Sequence, residues 1–325
     1  MNVGNLIVTK NYKQDFSIKC PVCTTESFSA WGRVDIYNIE RCQGCGLGIT
    51  SPFPEQKQLV AINQETYLLE QRITTYRSRY EYFKKRYQRQ LHDIKSFKPS
   101  GKLLDIGCNI GVFLSEARAA SFETTGIELN RECAEYAQSH FNLSVHSDYL
   151  DNIAFEADSF DVVTMYDVLE HIPDLHSMLA EIRRVLKPGG LLVVQSPNLD
   201  SLMADLSKSA WGWLSPPDHL YHFTPGALSS LLVQTGYDVQ LVKTWEPADD
   251  FCADVMQAKL GNSLLARITR KLIRLSGLAL ALVTVVQKNW WTRQKGALVE
   301  VYAVKATISC TLSSSTTDKG RSNDL

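Results

Sequence analysis

The sequence predicts an α/β protein whose larger part is a mostly parallel sheet covered by helices on both faces, preceded by a small cysteine-rich module. Three observations carry this. From Gly101 to Ser196 short apolar runs alternate with amphipathic helical patterns, an order that demands right-handed crossovers between parallel strands. A glycine-bearing turn, Gly107 to Gly111, follows the first of those runs and opens a helical one; such a turn lets backbone N–H groups approach a ligand closely. Two C-x-x-C pairs stand near the start of the chain.

With 325 residues, 44% of them hydrophobic and 10% aromatic, the chain has room for one large domain with a sizeable core plus a small module. A formal net charge of −1 gives no global attraction to nucleic acid or acidic membranes. The opening MNVGNLIVTKNYKQDF has no long apolar stretch and no small-residue cleavage site, so no secretory signal is expected. Of eight cysteines, four form the two tight pairs and the others are scattered, the pattern of a reducing compartment with a metal site and hence of a cytoplasmic protein. The expected organisation is a module over 1–55, a linker and helix over 56–100, the α/β domain over 101–308, and a disordered tail over 309–325.

Taken in order, Cys20, Cys23, Cys42 and Cys45 flank a segment of alternating polarity, Phe28 to Ile39, suited to a hairpin. Four thiolates at this spacing close a tetrahedral Zn²⁺ site of ribbon type, the alternative being a redox pair. A closed site has no open position, so the metal is structural. After Ser51-Pro52-Phe53-Pro54 a helical pattern runs from Glu65 to Phe97. Tyr76, Tyr80, Phe83, Tyr87, Leu91 and Ile94 make one apolar face; Arg72, Arg77, Arg79, Lys84, Lys85, Arg86 and Arg89 stand on the other. The basic face is either solvated or set to receive a phosphate or carboxylate of a substrate.

Strands are then expected at 102–106, 123–128, 144–147, 160–166 and 190–196, with helices at 112–120, 131–140 and 175–186. Ligands bind such a sheet at the carboxyl ends of its strands. Glu128 ends the second strand about twenty residues past the glycine turn, the place of an acid that accepts two ribose hydroxyls; otherwise it is a surface glutamate at a strand end.

The stretch Leu103 to Leu114, with Asp105, Gly107 and Gly111 in an acidic-x-Gly-x-x-x-Gly pattern, resembles motif I of the class I S-adenosylmethionine-dependent methyltransferases. Asn109 replaces their common middle glycine, and Asn tolerates the left-handed backbone region. Phe160 to Asp174, with its Leu-Glu-His-Ile run, resembles the family's fourth-strand motif, and Leu186-Lys-Pro-Gly-Gly190 its next landmark. The resemblance implies a Rossmann-like seven-stranded sheet with an antiparallel edge hairpin. It also implies adenosylmethionine as cofactor, bound by Asp105, Gly107, Asn109, Gly111, Glu128, Asp148, Tyr166 and Asp167. Asp148 would meet the adenine amino group, unless it only caps a helix, and Tyr67 or Tyr76 would close over the cofactor.

The acceptor is expected at Pro216 to Thr224, where His219 and His222 follow Trp211 and Trp213. A histidine near its ordinary pKa of ~6.5 serves as a base at neutral pH. These two are candidates for that role, as is His171; alternatively they hydrogen-bond the loop. Thr224-Pro225 reads as an N-cap followed by proline at N1.

Tyr237–Thr244 and Ala297–Lys305 complete the sheet, and the segment between them, about 246–296, exceeds an ordinary hairpin connection. Its 264–291 stretch has a basic flank, the apolar run Leu275 to Val286, and Trp290 and Trp291, and the apolar run is too short to span a membrane. The stretch suits an interfacial helix, a lid over an apolar substrate, or packing on the protein's own core or a second subunit. The expected activity is methyl transfer to a small-molecule or carbohydrate- or lipid-linked acceptor; RNA methylation and a non-catalytic cofactor-binding scaffold are the alternatives.

Overall fold

The computed structural model describes residues 19–55, 69–245 and 294–306. Residues 246–293 of the expected insertion, with the 264–291 helix, Tyr67 and the 309–325 tail, lie outside the described residues.

The cysteine module contributes β1 (Phe28–Val34), β2 (Tyr37–Cys42) and β3 (Gly48–Ser51). The first two pair antiparallel with a bulge between Ala30 and Gly32, and β2 pairs with β3. The helical stretch at 65–97 is not one helix among the described residues. It is α1 (Leu69–Ser78) and α2 (Tyr80–Phe97), interrupted at Arg79, whose φ of −122° and ψ of 24° leave the helical region. Arg79 lies over the Tyr82 ring at 4.5 Å, a cation–π contact that fixes the joint. Phe83, Tyr87, Leu91 and Ile94 of α2 are buried at helical spacing, as the apolar face required, whereas Tyr80 is exposed.

The main domain follows as β4 (Gly101–Ile106), α3 (Val112–Ala119), β5 (Phe122–Ile127), α4 (Arg131–Phe141), β6 (Ser144–His146), β7 (Phe160–Tyr166), α5 (Leu175–Val185) and β8 (Leu186–Pro197). Then come α6 (Leu202–Ser207), β9 (Tyr221–His222), α7 (Pro225–Gln234), β10 (Tyr237–Trp245) and β11 (Leu298–Lys305). Seven strands form one mixed sheet in the order β10-β11-β8-β7-β4-β5-β6. The five central and flanking strands β8, β7, β4, β5 and β6 run parallel, and β11 lies antiparallel to both its neighbours.

Strands buried on both faces read as continuous apolar runs rather than alternating ones. In β7, Phe160, Val162, Val163, Thr164 and Met165 are all buried. Helices bury one stripe: α5 turns Leu175, Leu179, Ile182 and Val185 onto the sheet. Asp174 caps α5 by accepting from the Ser177 N–H at 3.0 Å, and Thr224 caps α7 ahead of Pro225 by accepting from Ala227 N–H at 3.1 Å.

Strand order reverses between β4 and β7, since the chain runs outward from β4 to one edge and from β7 to the other. A crevice opens beyond the carboxyl ends of strands at such a switch point. The cysteine module is joined to this domain. Its β3 pairs antiparallel with β9, Gly48 opposite His222 and Ile49 opposite Tyr221, making a second sheet in the order β1-β2-β3-β9. One apolar core takes in Val22, Leu47 and Ile49 of the module with Leu220 and Phe223 beside β9 and Met165 and Val194 of the large sheet.

Candidate active site

A cavity of about 820 Å³ occupies the switch point, in the upper part of the range for small-molecule sites. Its floor is the turn after β4. Gly107 adopts φ +75°, and a Cβ there would lie 2.4 Å from Val168 Cγ2, so only glycine brings the backbone this close. Asn109 adopts φ +53° and is held there by its own side chain, whose Oδ1 accepts from the Ile110 N–H at 2.8 Å. The left-handed conformation expected of this asparagine is the one it takes.

Glu128, directly after β5, lines the cavity and bridges two backbone amides: Asn109 N–H donates to Oε2 and Asn130 N–H to Oε1, each at 2.8 Å. The carboxylate is thereby fixed in orientation, and a carboxylate accepts about four hydrogen bonds in all. Asp105, at the end of β4, is buried and accepts from the Thr164 hydroxyl at 2.6 Å. Burial raises its pKa; the Thr164 bond opposes this and the charge of Glu128 adds to it, leaving Asp105 at about 7.

Two expected cofactor residues stand elsewhere. Gly111, in the left-handed region at the start of α3, packs on Leu143 and Ala137, where a Cβ would clash at 2.7 and 2.8 Å. Asp148 is exposed and closes a local turn, accepting from Tyr149 N–H at 2.8 Å and from Asn152 Nδ2 at 2.7 Å. Neither lines the cavity, whereas Tyr149, Leu150 and Asp151 do. The sequence marked the right strand end but not which of its residues turns inward.

Tyr166 and Asp167 line the opposite wall with Arg86 of α2. Arg86 Nη2 lies 3.4 Å from Asp167 Oδ2, Gln195 Nε2 donates to Asp167 Oδ1 at 2.7 Å, and the Arg86 guanidinium sits 5.0 Å from the Trp245 ring centre. Arg89 stacks on the same ring at 4.8 Å and donates to the fully buried Glu300 at 2.8 Å. Arg86 is largely withdrawn from solvent and Arg89 only partly; the amphipathic pattern showed the face but not the depth. Arg86 Nε and the Tyr166 hydroxyl are buried with no hydrogen-bond partner among the described residues, polar groups that a ligand in the cavity would satisfy. Tyr76 also lines the cavity.

At the far end stand His171 and His219, ring centres 4.7 Å apart and nearly perpendicular. His171 Nδ1 lies 3.0 Å from Asp218 Oδ1 and 2.9 Å from the Asp218 carbonyl oxygen. Burial works against its charge, but Asp218 and the neighbouring Glu170 outweigh burial and hold its pKa at about 9. His219 moves the other way: burial, then the charges of His171 and His222, push it well below its ordinary value, and its Nδ1 has no partner among the described residues. At neutral pH a cationic imidazole therefore stands beside a neutral one. Glu170, fully buried behind them, is pushed up to about 8 by burial.

His222 is not in this cavity. It is buried in β9, its Nε2 is 3.1 Å from Thr50 Oγ1, and burial lowers its pKa to about 3. Of the two histidines in the expected acceptor stretch, one faces the cavity and the other faces the cysteine module.

That module gathers Cys20, Cys23, Cys42 and Cys45 so that all four sulfurs lie within 4.8 Å of one another. Cys20–Cys45 is 3.5 Å, Cys23–Cys42 3.3 Å and Cys42–Cys45 3.6 Å between sulfurs. These are far beyond a disulfide bond and near the ~3.8 Å edge of a tetrahedron with Zn–S bonds of ~2.3 Å, so the donor set fits such an ion.

A family model described as "Methyltransferase domain" matches residues 76–242. Among curated proteins, the chain is 38% identical over 108 residues to a ubiquinone biosynthesis O-methyltransferase of Haemophilus ducreyi, covering 30% of this chain and 45% of the relative. It is 32% identical over 152 residues to an uncharacterized 37.1 kDa protein in transposon TN4556 of Streptomyces fradiae, covering 45% of this chain and 42% of that one. The chain thus spans less than half the length of these relatives. Among solved structures it resembles a SAM dependent methyltransferase from Archaeoglobus fulgidus at 21% identity and a TM-score of 0.49, over 69% of this chain and 94% of the other. No helix among the described residues is long and apolar enough to cross a membrane.

Proposed function

Because the chain belongs to the methyltransferase-domain family, we propose that it transfers the methyl group of S-adenosylmethionine to a hydroxyl of a small acceptor, free or linked to a carbohydrate or lipid carrier. The observation that carries this reading is the pairing, in one cavity, of the Glu128 carboxylate locked by two backbone amides with the His171–His219 pair at the other end.

The residues present fit the cofactor. Glu128 would accept the ribose hydroxyls, and Gly107 and Asn109 leave the backbone bare beneath the nucleoside. Asp105 would face the amino group of the methionine portion. Arg86, buried with an unpartnered Nε, would take its carboxylate. Asp151 or Tyr149 replaces Asp148 at the adenine end. When bound, the cofactor supplies an already activated methyl group.

What remains for the protein is to position the acceptor oxygen and to accept its proton. His219, neutral with a bare Nδ1, would take that proton; His171, held cationic by Asp218, would stabilise the oxyanion that develops. The relatives named O-methyltransferases support oxygen as the acceptor atom. A cavity of about 820 Å³ and a net charge of −1 favour a small acceptor over RNA. The four thiolates would hold a structural Zn²⁺ with no open position.

The test is to incubate purified protein with labelled adenosylmethionine and fractionated cell extract, then identify the labelled product. A methyl ether is expected. Label in RNA, or none in any fraction despite cofactor binding, would overturn the acceptor class or the activity respectively.

A further inference from the structure

The loop that carries His219 is gripped from two sides. From the main domain, His171 Nδ1 meets the Asp218 carbonyl oxygen at 2.9 Å, and the Glu170 carbonyl accepts from Leu220 N–H at 2.9 Å. From the cysteine module, beyond the pairing of Gly48 and Ile49 with β9, the hydrogen bonds to residues 219 and 220 come from Thr50. Its N–H donates to the Leu220 carbonyl at 2.9 Å, and its hydroxyl donates to the His219 carbonyl at 2.6 Å. Because that hydroxyl has one proton, the 3.1 Å contact to His222 Nε2 requires His222 to donate, which fixes its tautomer. Thr50 is fully buried, so each of these groups would lose its partner without gaining water.

The module itself is tied down at separate points. Arg41 pairs with Asp200 at 2.6 Å, His176 Nε2 meets the Pro21 carbonyl oxygen at 2.7 Å beside the first cysteine pair, and β3 pairs with β9. A displacement of the cysteine cluster therefore reaches the histidine loop through strand β3.

We propose that Thr50 is the positioning residue for His219, and that the four-cysteine module is for this reason a support behind the acceptor site rather than a separate domain. The proposal rests on the reading of His219 as the proton acceptor. Thr50 touches neither acceptor nor cofactor; it fixes the backbone from which the imidazole projects, together with the tautomer of His222 behind it. Metal held by the cysteines would then govern transfer without affecting the adenosylmethionine half of the cavity, whose residues make none of these contacts.

The experiment uses the full chain with labelled histidine, in wild type, Thr50→Val and Thr50→Ser. Thr50→Val keeps shape and removes the hydroxyl; Thr50→Ser restores it. Expected for Thr50→Val are shifted His219 and His222 ring resonances and about tenfold faster amide exchange over 218–222, the loss of one buried hydrogen bond. Adenosylmethionine affinity by calorimetry stays within about twofold, since the cofactor wall is untouched, and Thr50→Ser returns both signals to wild type. Treating wild type with a zinc chelator should speed exchange over the same residues before those around Gly107. Unchanged resonances and exchange in Thr50→Val, or failure of Thr50→Ser to restore them, would overturn the proposal. Absence of adenosylmethionine binding by wild type would instead overturn the methyltransferase reading, and the resonance and exchange arms report on Thr50 independently of it.

Discussion

His171 and His219 meet edge to face with ring centres 4.7 Å apart, and Asp218 binds only the first of them. That asymmetry divides the work of the pair. Replacing His219 by Ala should lower label transfer by about 10²–10⁴-fold with cofactor affinity retained, the loss of a general base. Replacing His222 by Ala should act on thermal stability and only indirectly on rate. Initial rates with the identified acceptor decide this, and full turnover in His219→Ala would refute the assignment.

The same asymmetry has a pH signature. His171 has its pKa raised to about 9 in the folded protein, so the stability it contributes is present below its unfolded value of ~6.5 and is lost as pH rises through ~9. Asp218→Asn should remove that contribution. The gap in Tm between wild type and variant should therefore be larger near pH ~6 than near pH ~10, and an equal gap at both would count against the ion pair.

Asp105 should make cofactor binding depend on pH. Burial holds it at about 7, with Thr164 opposing and Glu128 adding. A cationic amino group placed against it would favour its charged form, so binding releases a proton below that pH. Affinity should rise between pH ~6 and ~8 and then level off, with proton release seen by calorimetry in buffers of different ionisation enthalpy. Asp105→Asn should weaken binding and flatten the profile.

The glycine turn offers a paired test. Gly107→Val places a branched side chain at φ +75° and against Val168, so cofactor binding should be lost. Asn109→Gly keeps a residue at home in the left-handed region and should change affinity by less than about threefold. Isothermal titration of both variants measures it.

Purified protein should carry one Zn²⁺ per chain by elemental analysis. Cys20→Ser or Cys42→Ser should lower that content and destabilise the protein by ~2 kcal/mol or more, as removal of one ligand from a structural metal site does. Protein that is fully folded without metal would defeat the zinc assignment.

The strands, the helices and the placement of Glu128 at a strand end were legible because each rests on local periodicity and a short turn. The histidine pair was legible only in part: His219 and His222 are three residues apart, and nothing local says that one sits in a loop against the cavity and the other in a two-residue strand. Arg86 follows the same logic. It flanks the apolar stripe at Tyr87, and only the end of β10, bringing Trp245 beneath it, turns it from a surface charge into a cavity wall. Asp148 and Asp151 differ by less than a helical turn, and the sequence favoured the one that caps the turn. The break at Arg79 has no glycine or proline to announce it.

Strand β9 adds a constraint of timing. The module's last strand is made early, but its partner lies far along the chain: Thr50 and His222 are 172 residues apart. Contacts of such separation form late, after the intervening chain has collapsed. On the ribosome, the cysteine module emerges ahead of the main domain and yet must wait, with its β3 edge unpaired, until synthesis has passed residue 222. What is made before the main domain is completed only after it.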